Sequence, residues 1–228
     1  MKYEIFLVDV DDTVLDFQRA SAEALQKACS VCEVAWEERF EEAFRKFNGA
    51  LWERLEKKEI TRKYLMNNRF TLFFKELNMP KVSGEQFNRV FLNYLANTPI
   101  FLDGAIEFLK TLGRYGRVYF VTNGTAWIQK SRFDKGGLWQ YAKETFVSDI
   151  IGCDKPSPLY TKHVIEHIEG FEKEKTVWIG DSLSSDIQAA FEAGIDSVWF
   201  TKNGKLPEAG AVPTYTASSY AEILKALE

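Results

Sequence analysis

A short apolar run, Ile5-Phe6-Leu7-Val8, breaks into Asp9, Asp11 and Asp12 within four residues. Two like carboxylates about 4 Å apart repel by roughly 4 kcal/mol at an effective dielectric of about 20, so such a stack calls for a cation. Three more polar clusters follow short apolar runs: Thr122-Asn123-Gly124, Lys155-Pro156, and Gly180-Asp181-Ser182 with Asp186. Carboxylates, one lysine, a hydroxyl and glycine-flanked backbone N–H groups suit magnesium and a phosphoryl group, a hard cation and the anion it would neutralise.

Each cluster must be delivered by an element. Arg117 to Thr122, Thr145 to Ser148, Thr176 to Gly180 and Ser197 to Phe200 read as short strands of β-branched and aromatic residues. Helices over Asp103 to Leu112, Ser184 to Ala193 (closed by Gly194) and Ser219 to Leu227 alternate with them, as a parallel sheet requires. From Leu15 to about Asn97 the pattern is helical throughout. Phe40, Phe44, Phe47, Leu51 and Leu55 recur at helical spacing, as do Met66, Phe70, Phe73 and Leu77, and Thr61 and Ser83 stand at N-cap positions. The expectation is an α/β fold: a three-layer Rossmann-like core with a parallel sheet, residues 1–15 and 98–228, and an inserted all-helical cap domain of about four helices, residues 16–97. In open α/β sheets ligands bind beyond the carboxyl ends of the strands, where all four clusters fall.

Taken together, Asp9-Val10-Asp11-Asp12-Thr13, Thr122, Lys155 and Gly180-Asp181 through Asp186 resemble the four motifs of the haloacid dehalogenase superfamily, in order. The resemblance implies a magnesium-dependent phosphatase in which Asp9 is the nucleophile and forms an aspartyl-phosphate, while Asp11 serves as general acid and then base. It places magnesium between Asp9, the Asp11 carbonyl and Asp181, with Asp186 behind them or as an alternative contact. Thr122 and the N–H groups of Asn123 and Gly124 would hold phosphoryl oxygens, and Lys155 would balance their charge. Asp11 disfavours carbon–halogen cleavage, since a departing halide needs no proton. Helices inserted between the first two motifs resemble a C1 cap. The segment from Leu51-Trp52-Glu53 through Glu59-Ile60-Thr61 to Arg69-Phe70 and Lys75-Glu76-Leu77-Asn78 resembles bacterial pyrimidine 5'-nucleotidases. That makes a nucleoside monophosphate the expected substrate, with Phe17, Trp52 and Arg69 as weaker candidates for contacting base or sugar. A phosphatase or phosphomutase of small sugar phosphates remains the alternative, and a non-catalytic phosphometabolite-binding protein is the alternative of another class.

Composition sets the outer limits. A chain of 228 residues with 46% hydrophobic content can bury a proper core. A net charge of −4, from 29 basic against 33 acidic residues, offers no footprint for duplex nucleic acid or an anionic membrane. The apolar start ends at Asp9, too soon for a secretory or membrane segment, and three cysteines suit a reducing compartment, so a cytoplasmic location is expected. The partner expected is a small phosphate monoester; the oligomeric state is open and compatible with a monomer. Cys29-Ser30-Val31-Cys32 has no second cysteine pair to complete a zinc site, and His163 and His167 lack the pattern of a zinc protease, so both read as structural.

Overall fold

The computed structural model describes residues 1–79, 81–201 and 210–228, which divide into two compact units: Met1–Asp16 with Ile100–Glu228, and Phe17–Pro99. Among the described residues, no helix is long and apolar enough to cross a membrane.

The inserted unit consists of α1 (Phe17–Val31), α2 (Arg39–Glu56), α3 (Arg62–Glu76) and α4 (Gly84–Asn97). Thr61 and Ser83 cap α3 and α4 by accepting the N–H groups of Tyr64 and Gln86, each such cap worth about 1 kcal/mol. The phenylalanines spaced along α2 to α4 interlock: Phe44 stacks on Phe70 with ring centroids 4.9 Å apart, and Phe73, Phe87 and Phe91 pack around the pair. Phe44, Phe70 and Phe73 are core residues, as their spacing predicts. Phe74, outside the predicted stripe, is buried with them.

In the other unit, strands β1 (Ile5–Val8), β2 (Arg117–Thr122), β3 (Glu144–Val147), β4 (Thr176–Gly180), β5 (Asp196–Phe200) and β6 (Tyr215–Ala217) form one sheet. Its order is β3-β2-β1-β4-β5-β6, and every pairing is parallel. A strand covered on both faces has to be apolar at every position, and all four residues of β1 are buried. Phe6 and Val8 join Val118, Phe120, Val177 and Ile179 on one face, under side chains from α5 (Ala105–Tyr115), α6 (Ala126–Gly136) and α10 (Tyr220–Ala226). Ile5 and Leu7 join Tyr119, Val121 and Trp178 on the other, under α8 (Pro158–His167) and α9 (Gln188–Ala193). A short α7 (Ser148–Ile151) follows β3. The layers are helix, sheet, helix, the α/β architecture expected.

The chain adds β2 and β3 on one side of β1 and β4 to β6 on the other. The sheet order therefore reverses beside β1, and the carboxyl ends of β1 and β4 flank the crevice that such a reversal opens. Two local differences from expectation stand out. The β6 strand is only three residues long, too short to carry an alternation signal. The helix predicted from Ser184 begins as a π-turn over Leu183–Ile187 and becomes α-helical at Gln188.

Candidate active site

Asp9 follows β1 directly, its N–H still bonded to the Ile179 carbonyl as though the strand continued. Asp181 comes directly after β4, and the Trp199 indole N–H of β5 fixes the Asp181 carbonyl at 2.8 Å. Lys155 arrives from the loop after α7, at a cis bond to Pro156, and is only 1% exposed. Its ammonium makes three bonds: to Asp9 Oδ1 at 2.6 Å, Asp186 Oδ1 at 2.6 Å and the Val121 carbonyl at 2.8 Å. All three protons of the ammonium thus have an acceptor.

The π-turn carries Asp186 into this cluster. Its wider loop bonds the Ile187 N–H back to the Ser182 carbonyl, and the Asp186 carboxylate folds over Gly180 to accept the Ser182 N–H at 3.2 Å and the Trp178 indole N–H at 3.2 Å. A β-carbon on Gly180 would lie 2.3 Å from Asp186 Cγ. Gly180→Ala should therefore displace the carboxylate and break its bond to Lys155. We expect a fall in Tm of several degrees, as a loss of about 1–2 kcal/mol gives in a chain of this size.

Asp9, Asp181 and Asp186 each place a carboxylate oxygen within 4.8 Å of the others, while Lys155 supplies one positive charge. Burial drives the Asp9 carboxyl up to about 8, with Asp186 and Asp11 adding to the shift and Lys155 opposing it. Burial likewise holds Asp181 well above the ordinary carboxylate value, and Asp9 and Asp186 push the same way. Burial disfavours the Lys155 ammonium too, yet Asp186 and Asp9 outweigh it and keep its pKa above the ordinary lysine value. Three carboxylates against one ammonium leave an excess of negative charge on hard oxygen ligands. That donor set fits magnesium.

Asp11 lies in a tight loop. Val14 and Leu15 donate to the Val10 carbonyl, and Asp12 takes the left-handed conformation at φ 59°, which aspartate tolerates better than most residues. The Asp11 carboxylate turns to α6. Arg132 Nη1 donates to its Oδ1 at 2.6 Å and Gln129 Nε2 to its Oδ2 at 2.9 Å. Thr122 Oγ1 accepts from Gln129 at 2.8 Å and from the Gly124 N–H at 3.0 Å. With both lone pairs engaged, the Thr122 hydroxyl retains its proton as a donor. The Asn123 side chain pairs in both directions with the Lys155 backbone, which ties the second motif to the third. The structure thus gathers Asp9, Asp181, Asp186 and Lys155 into one cluster and Asp11, Thr122 and Gly124 into a second, with Asn123 between the second and third motifs.

Sequence motifs do not single out Gln129 and Arg132, although a signal exists. On α6 they share the buried face with Ile128 and Phe133, and two polar side chains inside an apolar stripe ask for partners. Arg69, a candidate substrate contact by sequence, is instead a core residue of the inserted unit, 2% exposed. Burial pushes its pKa down to about 9, and it donates to the Asn48 and Asn88 side chains amid Phe44, Phe70 and Phe91.

A parallel sheet that collects carboxylates and a lysine at its topological reversal is the architecture of an α/β enzyme. Residues 3–194 match the haloacid dehalogenase-like hydrolase family, and the chain belongs to it. It is 35% identical to the pyrimidine 5'-nucleotidase PynA of Streptococcus pneumoniae over all of this chain and 96% of that protein. It is 26% identical to the pyrimidine 5'-nucleotidase YjjG of Escherichia coli, over 98% of this chain and 97% of that one. Among solved structures, the magnesium-bound putative HAD-hydrolase YfnB of Bacillus subtilis superposes with a TM-score of 0.92 at 32% identity, covering all of both chains. The family resemblance read from the four motifs therefore holds.

Proposed function

We propose that the protein is a magnesium-dependent 5'-nucleotidase that hydrolyses pyrimidine nucleoside monophosphates through an aspartyl-phosphate on Asp9. The observation that carries the chemistry is the cluster of Asp9, Asp181 and Asp186, of which the buried Asp9 and Asp186 bond the Lys155 ammonium. The substrate follows from full-length similarity to two pyrimidine 5'-nucleotidases.

In this reading Asp9 attacks phosphorus and the ester P–O bond breaks as Asp11 gives its proton to the leaving nucleoside oxygen. Asp11 then takes a proton from water while the water oxygen attacks phosphorus, releasing inorganic phosphate and restoring Asp9. Thr122 donates its hydroxyl, with the backbone at Asn123 and Gly124, to the phosphoryl oxygens, and Lys155 neutralises their charge. Asp9, the Asp11 carbonyl and Asp181, with Asp186 behind them, would hold magnesium, which would supply electrostatic stabilisation of the phosphoryl group. Residues 1–15 and 98–228 form the hydrolytic core in this assignment, and the cap, residues 16–97, selects the substrate.

The test is a panel of nucleoside and sugar monophosphates assayed with magnesium and with a chelator. We expect the highest kcat/KM on pyrimidine nucleoside monophosphates and a loss on the order of 10³-fold on metal removal, equivalent to several kcal/mol of transition-state stabilisation. A preference for hexose phosphates would overturn the substrate assignment, and isomerised sugar phosphate without released phosphate would make the protein a mutase. No turnover of any monoester would leave a binding protein.

A further inference from the structure

We propose that Gln129 and Arg132 are positioning residues for Asp11, each binding one lone pair of its carboxyl group so that a proton on a remaining lone pair is oriented for transfer to the leaving oxygen. The inference rests on the assignment of Asp11 as acid above. Each Asp11 oxygen has its own donor, Arg132 at 2.6 Å and Gln129 at 2.9 Å. The two donors also fix one another: Arg132 Nη1 donates to Gln129 Oε1 at 3.0 Å. Because a guanidinium only donates, the Gln129 oxygen must face it, which turns the amide NH₂ toward Asp11 and Thr122. One side chain therefore sets both the acid and the hydroxyl that faces the phosphoryl group.

Stability gives a poor account of this arrangement. Arg132 is 1% exposed, and its Nε and Nη2 are buried with no hydrogen-bond acceptor. Among the described residues its ion-pair partner is Asp11, whose side chain is 29% exposed. A guanidinium taken out of water on such terms is costly, so an apolar residue would serve the core better. The backbone also makes room for the device: a β-carbon at Gly124 would stand 2.4 Å from Gln129 Nε2 and 2.6 Å from its Cδ. Glycine there lets the amide pass beneath the second motif.

Leaving-group chemistry separates positioning from a merely structural role. Nucleoside oxygen is a poor leaving group and needs the proton; nitrophenolate does not. We would measure the first-turnover rate of ester cleavage for a pyrimidine nucleoside monophosphate and for p-nitrophenyl phosphate in Arg132→Met, Gln129→Leu, Arg132→Lys and Asp11→Asn. General acid catalysis contributes about 10²–10⁴-fold. Asp11→Asn should show that loss chiefly on the nucleotide, Arg132→Met should show the same selectivity at about 10–100-fold with partial recovery in Arg132→Lys, and Gln129→Leu, which also frees Thr122, should slow both substrates but the nucleotide about tenfold more. Equal losses on both substrates, or no loss, in folded Arg132 and Gln129 variants overturn the proposal while Asp11→Asn remains selective. An unselective Asp11→Asn overturns the acid assignment and the inference with it. Should Arg132→Met fail to fold, Gln129→Leu and Arg132→Lys decide by the same ratio.

Discussion

Asp9→Asn should abolish turnover, by on the order of 10⁴-fold or more in kcat, and leave no phosphoryl adduct on the protein when a reaction is quenched and its mass measured. An amide has neither the charge nor the basicity to displace an alkoxide from phosphorus, and removing a covalent nucleophile takes away the whole two-step route. The fold should survive, because Lys155 keeps Asp186 and the Val121 carbonyl. Metal-free stability carries a second signature. In the folded protein burial lifts Asp9 from its ordinary 3.8 to about 8. A carboxyl raised in this way binds more protons folded than unfolded, so its contribution is fully present below pH 3.8 and is lost as pH rises through about 8. Urea unfolding in chelator should show that the wild type loses more stability between pH 5 and pH 8 than Asp9→Asn does. Identical slopes, or wild-type velocity in the variant, would remove Asp9 from the centre of the site.

How much of the fold and the site is legible in the sequence depends on the kind of interaction. Strand β1 and the aspartates after it can be read because a four-residue apolar run that ends in like charges is hard to place anywhere but at a cation site. Helix spacing reveals the phenylalanine core of the inserted unit, because period 3.6 survives without tertiary information. Partnerships across the fold stay hidden. Gln129 meets Asp11 across 118 positions of chain, and no local pattern relates them. Trp178 and Trp199 read as strand-forming aromatics, and only the register of β4 beside β5 shows that their indole N–H groups fasten Asp186 and the Asp181 backbone. The π-turn is equally hidden. Its sequence is that of an ordinary helix start, and it differs only because Asp186 has an acceptor role to fill over a glycine. Arg69 shows the converse error: an arginine in the nucleotidase-like segment invites a ligand reading, whereas its Nη1 and Nη2 donate to Asn48 and Asn88 inside the core of the inserted unit.

Lys155→Met should cost the protein both its activity and a large share of its stability. The replacement keeps the side chain's length and apolar stem while deleting the ammonium, so Asp9, Asp186 and the Val121 carbonyl lose a donor together. Removing one member of a buried ion pair costs roughly 3–5 kcal/mol, against a total of about 5–15 kcal/mol for a typical domain. In the proposed mechanism, loss of the positive charge beside the phosphoryl group should lower kcat by about 10²–10³-fold. Two further readouts show that the damage is electrostatic. Protonation is the cheapest way to relieve an unpaired buried carboxylate, so the variant should recover stability as pH falls from 8 to 5, more steeply than the wild type. Magnesium should stabilise the variant more than the wild type, since the ion then carries the compensation that the ammonium shared. A variant as stable as the wild type at pH 8 without metal would mean that the carboxylates do not depend on Lys155. The charge balance of the cluster, and the chemistry built on it, would then need another source.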